Sequence, residues 1–426
     1  MELKSSMNET WKLFSIGTFV GCLILILLLD KSHQNLSLLA ARNAMLQLVN
    51  PIESSNFTLN NTKDEKNFSI DGMETPVNGT KKKCNMFEGR WVYKSDEHPQ
   101  YDSIKCPFLE EKMSCQMNGR PDFEYEKWIW ESTDCDIPLF NGTYMLETLR
   151  NKKMIMSGDS LNRNMWESLA CLLYTSIHPS RAEVDAKQTL YKVFKAKDYN
   201  FTFEFHWSPF LVEFDEKHKN GKKVLVLDKL SSNSKQWHDA DIMVFNSGHW
   251  WSHTGKFKSW DLFSYKGELT EEMPIELAYE RAMKTWATWL ENNVNPQKTT
   301  VFFRSISAEH KSRQYDQWCY NITKPMKGES YVSVYPNSLV DVIESLVKVM
   351  NKPKVNYLNV TKLSEYRIDA HPSVYRSMNW KNITQKFEDV LGYADCSHWC
   401  LPGLPDTWNR LLFASLFFGS SDMVIS

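Results

Sequence analysis

Two short stretches, far apart in the chain, hold residue types that together can carry out acyl transfer. The first is Gly158-Asp159-Ser160 and the second is Asp395-Cys396-Ser397-His398. A serine hydroxyl is a weak nucleophile until a base takes its proton, and the base needs an orienting group. Ser160 supplies the hydroxyl; His398 and Asp395 supply the other two parts. The bland alternative is a capped helix start and a surface Asp–His pair. A Gly-Asp-Ser tripeptide arises by chance in roughly one chain in ten of this length, so the tripeptide alone decides nothing.

What surrounds Ser160 is more informative. Met154 to Met156 is a short apolar run, and Leu161, Met165, Leu169 and Leu172 recur at helical spacing. Ser160 thus falls where a strand gives way to a helix, with Gly158 allowing the bend. The N–H groups at a helix start favour negative charge, which suits the oxyanion of a tetrahedral intermediate. Arg163, three residues on, lies on the same side of the helix start, as an oxyanion contact or as an ion pair. Further along, Ile242–Phe245 reads as a core strand that ends in Asn246-Ser247-Gly248-His249-Trp250-Trp251. Strand C-termini in open α/β sheets commonly carry functional side chains. Asn246 is a candidate oxyanion donor or a turn residue, and His249 a second base, a sugar contact or a structural histidine. Trp250 and Trp251 either form a sugar platform or close the core.

The remaining pattern alternates strand and helix. Phe201, Phe203, Phe205 and Trp207 alternate as a strand with one buried face, and Val224–Leu227 reads as a core strand. Ile275–Leu290 is an amphipathic helix, Val301–Ile306 a strand, Ser338–Met350 a helix, Val355–Val360 a strand and Asp406–Phe418 a closing helix. This order predicts an α/β fold with a parallel central sheet between helices. The segment Cys84–Cys135 shows little regular pattern and reads as a disulfide-held, loop-rich layer. Trp91, Trp128 and Trp130 within it are candidates for a cleft wall or for burial.

The 426-residue chain has a formal net charge of −2, which argues against nucleic acid as a partner. Residues 13–29 carry no charge and are long enough for a membrane-spanning signal anchor, after a short tail 1–12. Residues 30–83 are polar and read as a glycosylated stem, leaving 84–426 as the folded domain. Besides Cys22 in the apolar run, the cysteines are Cys84, Cys106, Cys115, Cys135, Cys171, Cys319, Cys396 and Cys400. An even set suggests disulfides in an oxidising compartment, and the spacings do not repeat as zinc ligands do. Glycosylation triplets begin at Asn35, Asn56, Asn60, Asn67, Asn78, Asn141, Asn200, Asn321, Asn359 and Asn382.

The segments CNMFEGRWV (84–92), GDSLNRN (158–164), 246–251 and DCSHWCLPGLPDTWN (395–409) occur in one order. Together they resemble the plant trichome birefringence-like family over roughly residues 84–412. The resemblance implies a fold like that of SGNH/GDSL esterases, a three-layer α/β/α sandwich with a parallel sheet. It implies a single-pass type II protein of the Golgi membrane that O-acetylates a cell-wall polysaccharide, and a Ser160–His398–Asp395 triad. It also implies the disulfides Cys84–Cys135, Cys106–Cys171, Cys115–Cys400 and Cys319–Cys396, two of which would brace the Asp395–His398 loop. No cofactor or metal is implied. The acetyl donor would be a co-substrate, acetyl-CoA or another acetyl carrier, with a membrane acetyl-donor protein as a candidate partner. Lys362-Leu363-Ser364-Glu365-Tyr366-Arg367 looks like xylan-acetylating members, which makes xylan the first substrate to consider. A polysaccharide acetylesterase, or a non-catalytic polysaccharide-binding protein, remains the alternative.

Overall fold

The computed structural model describes residues 84–419, except 187, 314–315, 329–330 and 334–336. The apolar run 13–29, the stem 30–83 and the triplets at Asn35, Asn56, Asn60, Asn67 and Asn78 lie outside the described residues. No helix among the described residues is long and apolar enough to cross a membrane.

Seven strands form the central sheet: β1 (Lys153–Gly158), β2 (Ala182–Asp185), β3 (Tyr191–Ala196), β4 (Phe201–Trp207), β5 (Ile242–Phe245), β6 (Thr300–Arg304) and β7 (Val355–Leu358), in the order β7-β6-β5-β1-β4-β3-β2. β7, β6, β5, β1 and β4 run parallel, whereas β3 and β2 add antiparallel at one edge. The expected parallel sheet is therefore mixed. The reason is local: the chain returns from β2 to β3 and from β3 to β4 by short connections, which permit only antiparallel pairing. Val224–Leu230 is not in this sheet. It pairs with Val212–Asp215 and Leu262–Tyr265, and Glu268–Thr270 pairs with Leu262–Tyr265 to complete a second, four-stranded sheet.

Alternate side chains of the central strands enter two apolar cores. Met154, Met156, Phe203, Phe205 and Phe302 pack with helices α1 (Ser160–Tyr174) and, near the chain end, Leu404–Phe417. Ile155, Met243, Phe245, Val301 and Phe303 pack with α2 (Ile275–Asn293) and α3 (Asn337–Val349); Leu404–Phe417 is α4. A strand covered on both faces carries a continuous apolar run rather than an alternation, as Met154–Met156 does.

The periodicity of α1 predicts one buried stripe, yet every residue from Ser160 to Leu173 is buried. Its polar face is covered by the segment 84–135. Phe108 packs edge-on against Trp166 at 5.6 Å, and Cys106 is bonded to Cys171 on the helix. That segment is more regular than its sequence suggests, since Gly89–Tyr93 and Trp128–Ser132 form an antiparallel ribbon. Trp130 is buried in the core, while Trp91 and Trp128 are half-buried and Trp91 Nε1 donates to Leu363 O at 2.8 Å.

The disulfides pair Cys84 with Cys135, Cys106 with Cys171, Cys115 with Cys400 and Cys319 with Cys396. Cys115–Cys400 joins residues 285 apart in sequence and holds the loop that carries His398 against the N-terminal layer. Replacing both cysteines by alanine is expected to cost about 2–4 kcal/mol, because the bridge restricts the unfolded chain. Denaturant unfolding under non-reducing conditions measures it, and an unchanged midpoint would deny the bridge that role.

Candidate active site

Ser160 is placed by the turn that leaves β1. Asp159 caps α1: its Oδ1 accepts from the Leu161 N–H at 2.9 Å and from Asn246 Nδ2 at 2.8 Å. In return Asn246 Oδ1 accepts the Asp159 N–H at 3.1 Å. The end of β5 thus grips the turn between β1 and α1. Gly158 is required by this close approach, since a Cβ there would lie 1.9 Å from Asn246 Oδ1. One turn on, Asn162 Nδ2 donates to Ser157 O at 3.1 Å and to Val244 O at 3.0 Å, tying α1 to both strands.

The histidine arrives on a loop fastened at several points. Asp395 exchanges two backbone hydrogen bonds with Ser373, each 2.9 Å. Its Oδ1 accepts the N–H groups of Ser397 and His398 at 3.0 and 3.1 Å, forming a tight turn. Trp399 donates its N–H to Asn164 Oδ1 at 2.9 Å and accepts from Asn164 Nδ2 at 3.2 Å. Asn164 stands one helical turn after Ser160, so the loop is registered directly on the nucleophile's helix. Disulfides to Cys319 and Cys115 hold Cys396 and Cys400 on either side of His398.

The side chains meet in line. Ser160 Oγ lies 2.7 Å from His398 Nε2, and His398 Nδ1 lies 2.8 Å from Asp395 Oδ2. Burial would push the Asp395 carboxyl up, but the charge of His398, its hydrogen bonds and Arg376 prevail. The carboxyl is held well below the ordinary carboxylate range. Arg376 Nε is 3.9 Å away. An ionised Asp395 accepts the Nδ1 proton of His398, which leaves Nε2 as the lone pair facing the hydroxyl.

The other candidate residues separate. Asn246 stands beside the nucleophile's turn through Asp159. Arg163 does not: its Nε pairs with Glu110 at 3.0 Å and its Nη1 donates to Thr189 O at 3.2 Å. It belongs to a buried ion group with Glu167 and Lys192 under the N-terminal layer, because residues 84–135 cover the helix face that a bare sequence leaves open. His249 pairs with Glu309 at 2.8 Å and is buried. Burial would lower its pKa, yet Glu309 holds it raised, so it is unsuited to act as a base. Trp251 is in the core, donating to Ser247 Oγ at 2.9 Å. Trp250 is half-buried and stands edge-on to Trp207 at 5.4 Å. Sequence reasoning offered Asp159 or Ser160 as the helix cap, and the cap is Asp159; it missed Asn164 and Arg304. Asn164 is one of several polar residues on α1, and nothing in its spacing sets it apart; Arg304, wholly buried with Nη2 4.0 Å from Asp159 Oδ1, gives no signal either. Among the described glycosylation triplets, Asn141, Asn200, Asn321 and Asn382 are exposed and Asn359 is half-buried.

Residues 137–415 match a family model described as "GDSL/SGNH-like Acyl-Esterase family found in Pmr5 and Cas1p". The chain belongs to this acyl-esterase family. Residues 82–136 match a second model, the "PMR5 N terminal Domain", which coincides with the Cys-rich layer. The Arabidopsis thaliana "Protein trichome birefringence" is 41% identical over 349 residues, 79% of this chain and 56% of that protein. "Protein trichome birefringence-like 1" from the same plant is also 41% identical, over 79% of this chain and 62% of its own length. The chain therefore spans about three fifths of these two relatives. The "Probable xylan O-acetyltransferase 10" of Oryza sativa subsp. japonica is 39% identical over 79% of this chain and 78% of its own length.

In this arrangement, Asp395→Asn offers His398 an amide in place of an ionised acceptor, favouring the wrong tautomer. The expected loss in turnover is on the order of ten thousandfold, measured as hydrolysis of an aryl acetate. The stability sign also follows. A carboxyl depressed in the folded state stabilises it above the unfolded value of about 4, and that contribution is lost as pH falls through the folded value. Asp395→Asn should abolish this part of the acid-side loss in melting temperature.

Proposed function

We propose that this protein is an O-acetyltransferase that moves an acetyl group onto hydroxyls of a plant cell-wall polysaccharide, with xylan the first acceptor to test. The observation that carries the reading is the Asp395–His398–Ser160 line of hydrogen bonds at 2.8 and 2.7 Å. The relative named as a probable xylan O-acetyltransferase supports the substrate class.

In the first half-reaction His398 Nε2 takes the Ser160 proton while Oγ bonds to the acetyl carbon of the donor. The tetrahedral oxyanion would rest on the Ser160 N–H and on the second amide N–H of Asn246. Collapse breaks the bond to the leaving group, which departs with the proton from His398. In the second half a sugar hydroxyl gives its proton to His398 and attacks the acetyl carbon, and the departing Ser160 Oγ takes that proton back from His398. No cofactor is needed beyond the acetyl donor, acetyl-CoA or a carrier delivered at the membrane. Water attacks the same ester, so transfer depends on holding the sugar and excluding water. Half-buried Trp250 and Trp207 are suited to that. The uncharged run 13–29 and the family resemblance support a Golgi membrane anchor with a lumenal domain from residue 84 onward.

Full-length protein incubated with an acetyl donor and deacetylated xylan is expected to yield acetylated xylan, read by mass spectrometry, with Ser160→Ala at background. Free acetate from acetylated xylan without transfer would favour an esterase. Retention on xylan without either product would favour a binding protein.

A further inference from the structure

Behind the catalytic histidine lies a second pair of imidazoles that the triad does not use. His310 and His371 are buried, and His310 Nδ1 is 2.7 Å from His371 Nε2. Each outer nitrogen meets a main-chain carbonyl. His310 Nε2 faces that of Glu365 at 2.9 Å, and His371 Nδ1 faces that of His398 itself at 2.6 Å. Trp399 stacks on the His371 ring with centroids 3.9 Å apart, which keeps the ring from turning.

A count of protons constrains this chain. A carbonyl oxygen only accepts, so His310 Nε2 and His371 Nδ1 must each carry a proton. A neutral imidazole has one N–H, and both inner nitrogens would then present lone pairs to each other. At 2.7 Å that contact is a hydrogen bond only if a third proton lies between them. The pair then holds three protons on four nitrogens and one positive charge.

The surroundings fit a single charge. Glu309 beside His310 and Asp395 near His371 favour it. Tyr331 stacks edge-on 5.2 Å from His310, and the Arg120 guanidinium donates to His371 O at 3.1 Å, which opposes further charge. Burial pushes both rings below the ordinary histidine range, and for His371 the charge of His310 adds to it. Burial thus opposes even the first added proton, and the three hydrogen bonds in series, with Glu309 and Asp395, are what hold it.

We propose that His310 and His371, joined by one shared proton, are positioning residues that fix the main chain of His398 and so aim its ring at Ser160. The proposal rests on Ser160 being the nucleophile. Its test needs neither acetyl donor nor acceptor: the rate at which a fluorophosphonate labels Ser160 in the full-length protein. There the Oγ–phosphorus bond forms, fluoride leaves and the proton passes to His398. His371→Leu should be slower by ten- to a hundredfold, the scale of a misplaced catalytic group. His371→Asn, which keeps an N–H near the Nδ1 position, should recover much of that rate. His310→Gln keeps the donor to Glu365 O and should lose less of the rate than His310→Leu. Near-ultraviolet circular dichroism reports folding, and if His371→Leu does not fold, the labelling rates of His310→Gln and His310→Leu decide. Wild-type rates in these variants would overturn the positioning role alone. Absence of Ser160 labelling in the wild type would overturn the nucleophile reading and the relay with it.

Discussion

The site depends on a pair of hydrogen bonds between Asn164 and the main chain of Trp399. A serine and a histidine 238 residues apart are brought to 2.7 Å, and no local element could do this. Asn164 uses both ends of its amide on one residue, at 2.9 and 3.2 Å, in a setting from which water is excluded. Breaking them would leave buried donors and acceptors unpaired, at about 1–3 kcal/mol for each group. The loop thus has one register on α1, and that register puts His398 over Ser160.

Around this contact the structure spends its cross-links and its polar groups. Cys396 and Cys400 tie the loop to Cys319 and Cys115. Leu401 N–H donates to Met113 O at 2.9 Å, so the N-terminal layer bears directly on the catalytic loop. On the other side the Asp159–Asn246 exchange fixes the turn that carries Ser160. The Asp395–His398–Ser160 line is therefore clamped from both ends, as the proposed acyl transfer requires.

Ser160 and the Asp395–His398 pair as candidates, the strand before Ser160 and the helix after it were legible in the sequence, because apolar spacing and short polar motifs are local signals. So were the helices Ile275–Asn293 and Leu404–Phe417, within a few residues. The antiparallel edge was not, since pairing direction depends on which strands become neighbours. Arg163 misled for a related reason: its spacing aims it at the active site, but only tertiary structure reveals Glu110 beside it. His249 and Trp251 lie in a stretch that follows a strand end, where function and packing leave similar marks. The pairing of His310 with His371 joins segments 61 residues apart, and nothing in either segment names the other.

The central claim is that His398 makes the Ser160 hydroxyl reactive enough to carry an acyl group. Mixing the protein with an acetyl donor, quenching in acid and mapping peptides by mass spectrometry tests it most directly. The account predicts acetyl on the peptide holding Ser160, lost in Ser160→Ala and in His398→Ala. Turnover that proceeds with the acetyl group on another residue, or with none bound at all, would contradict it.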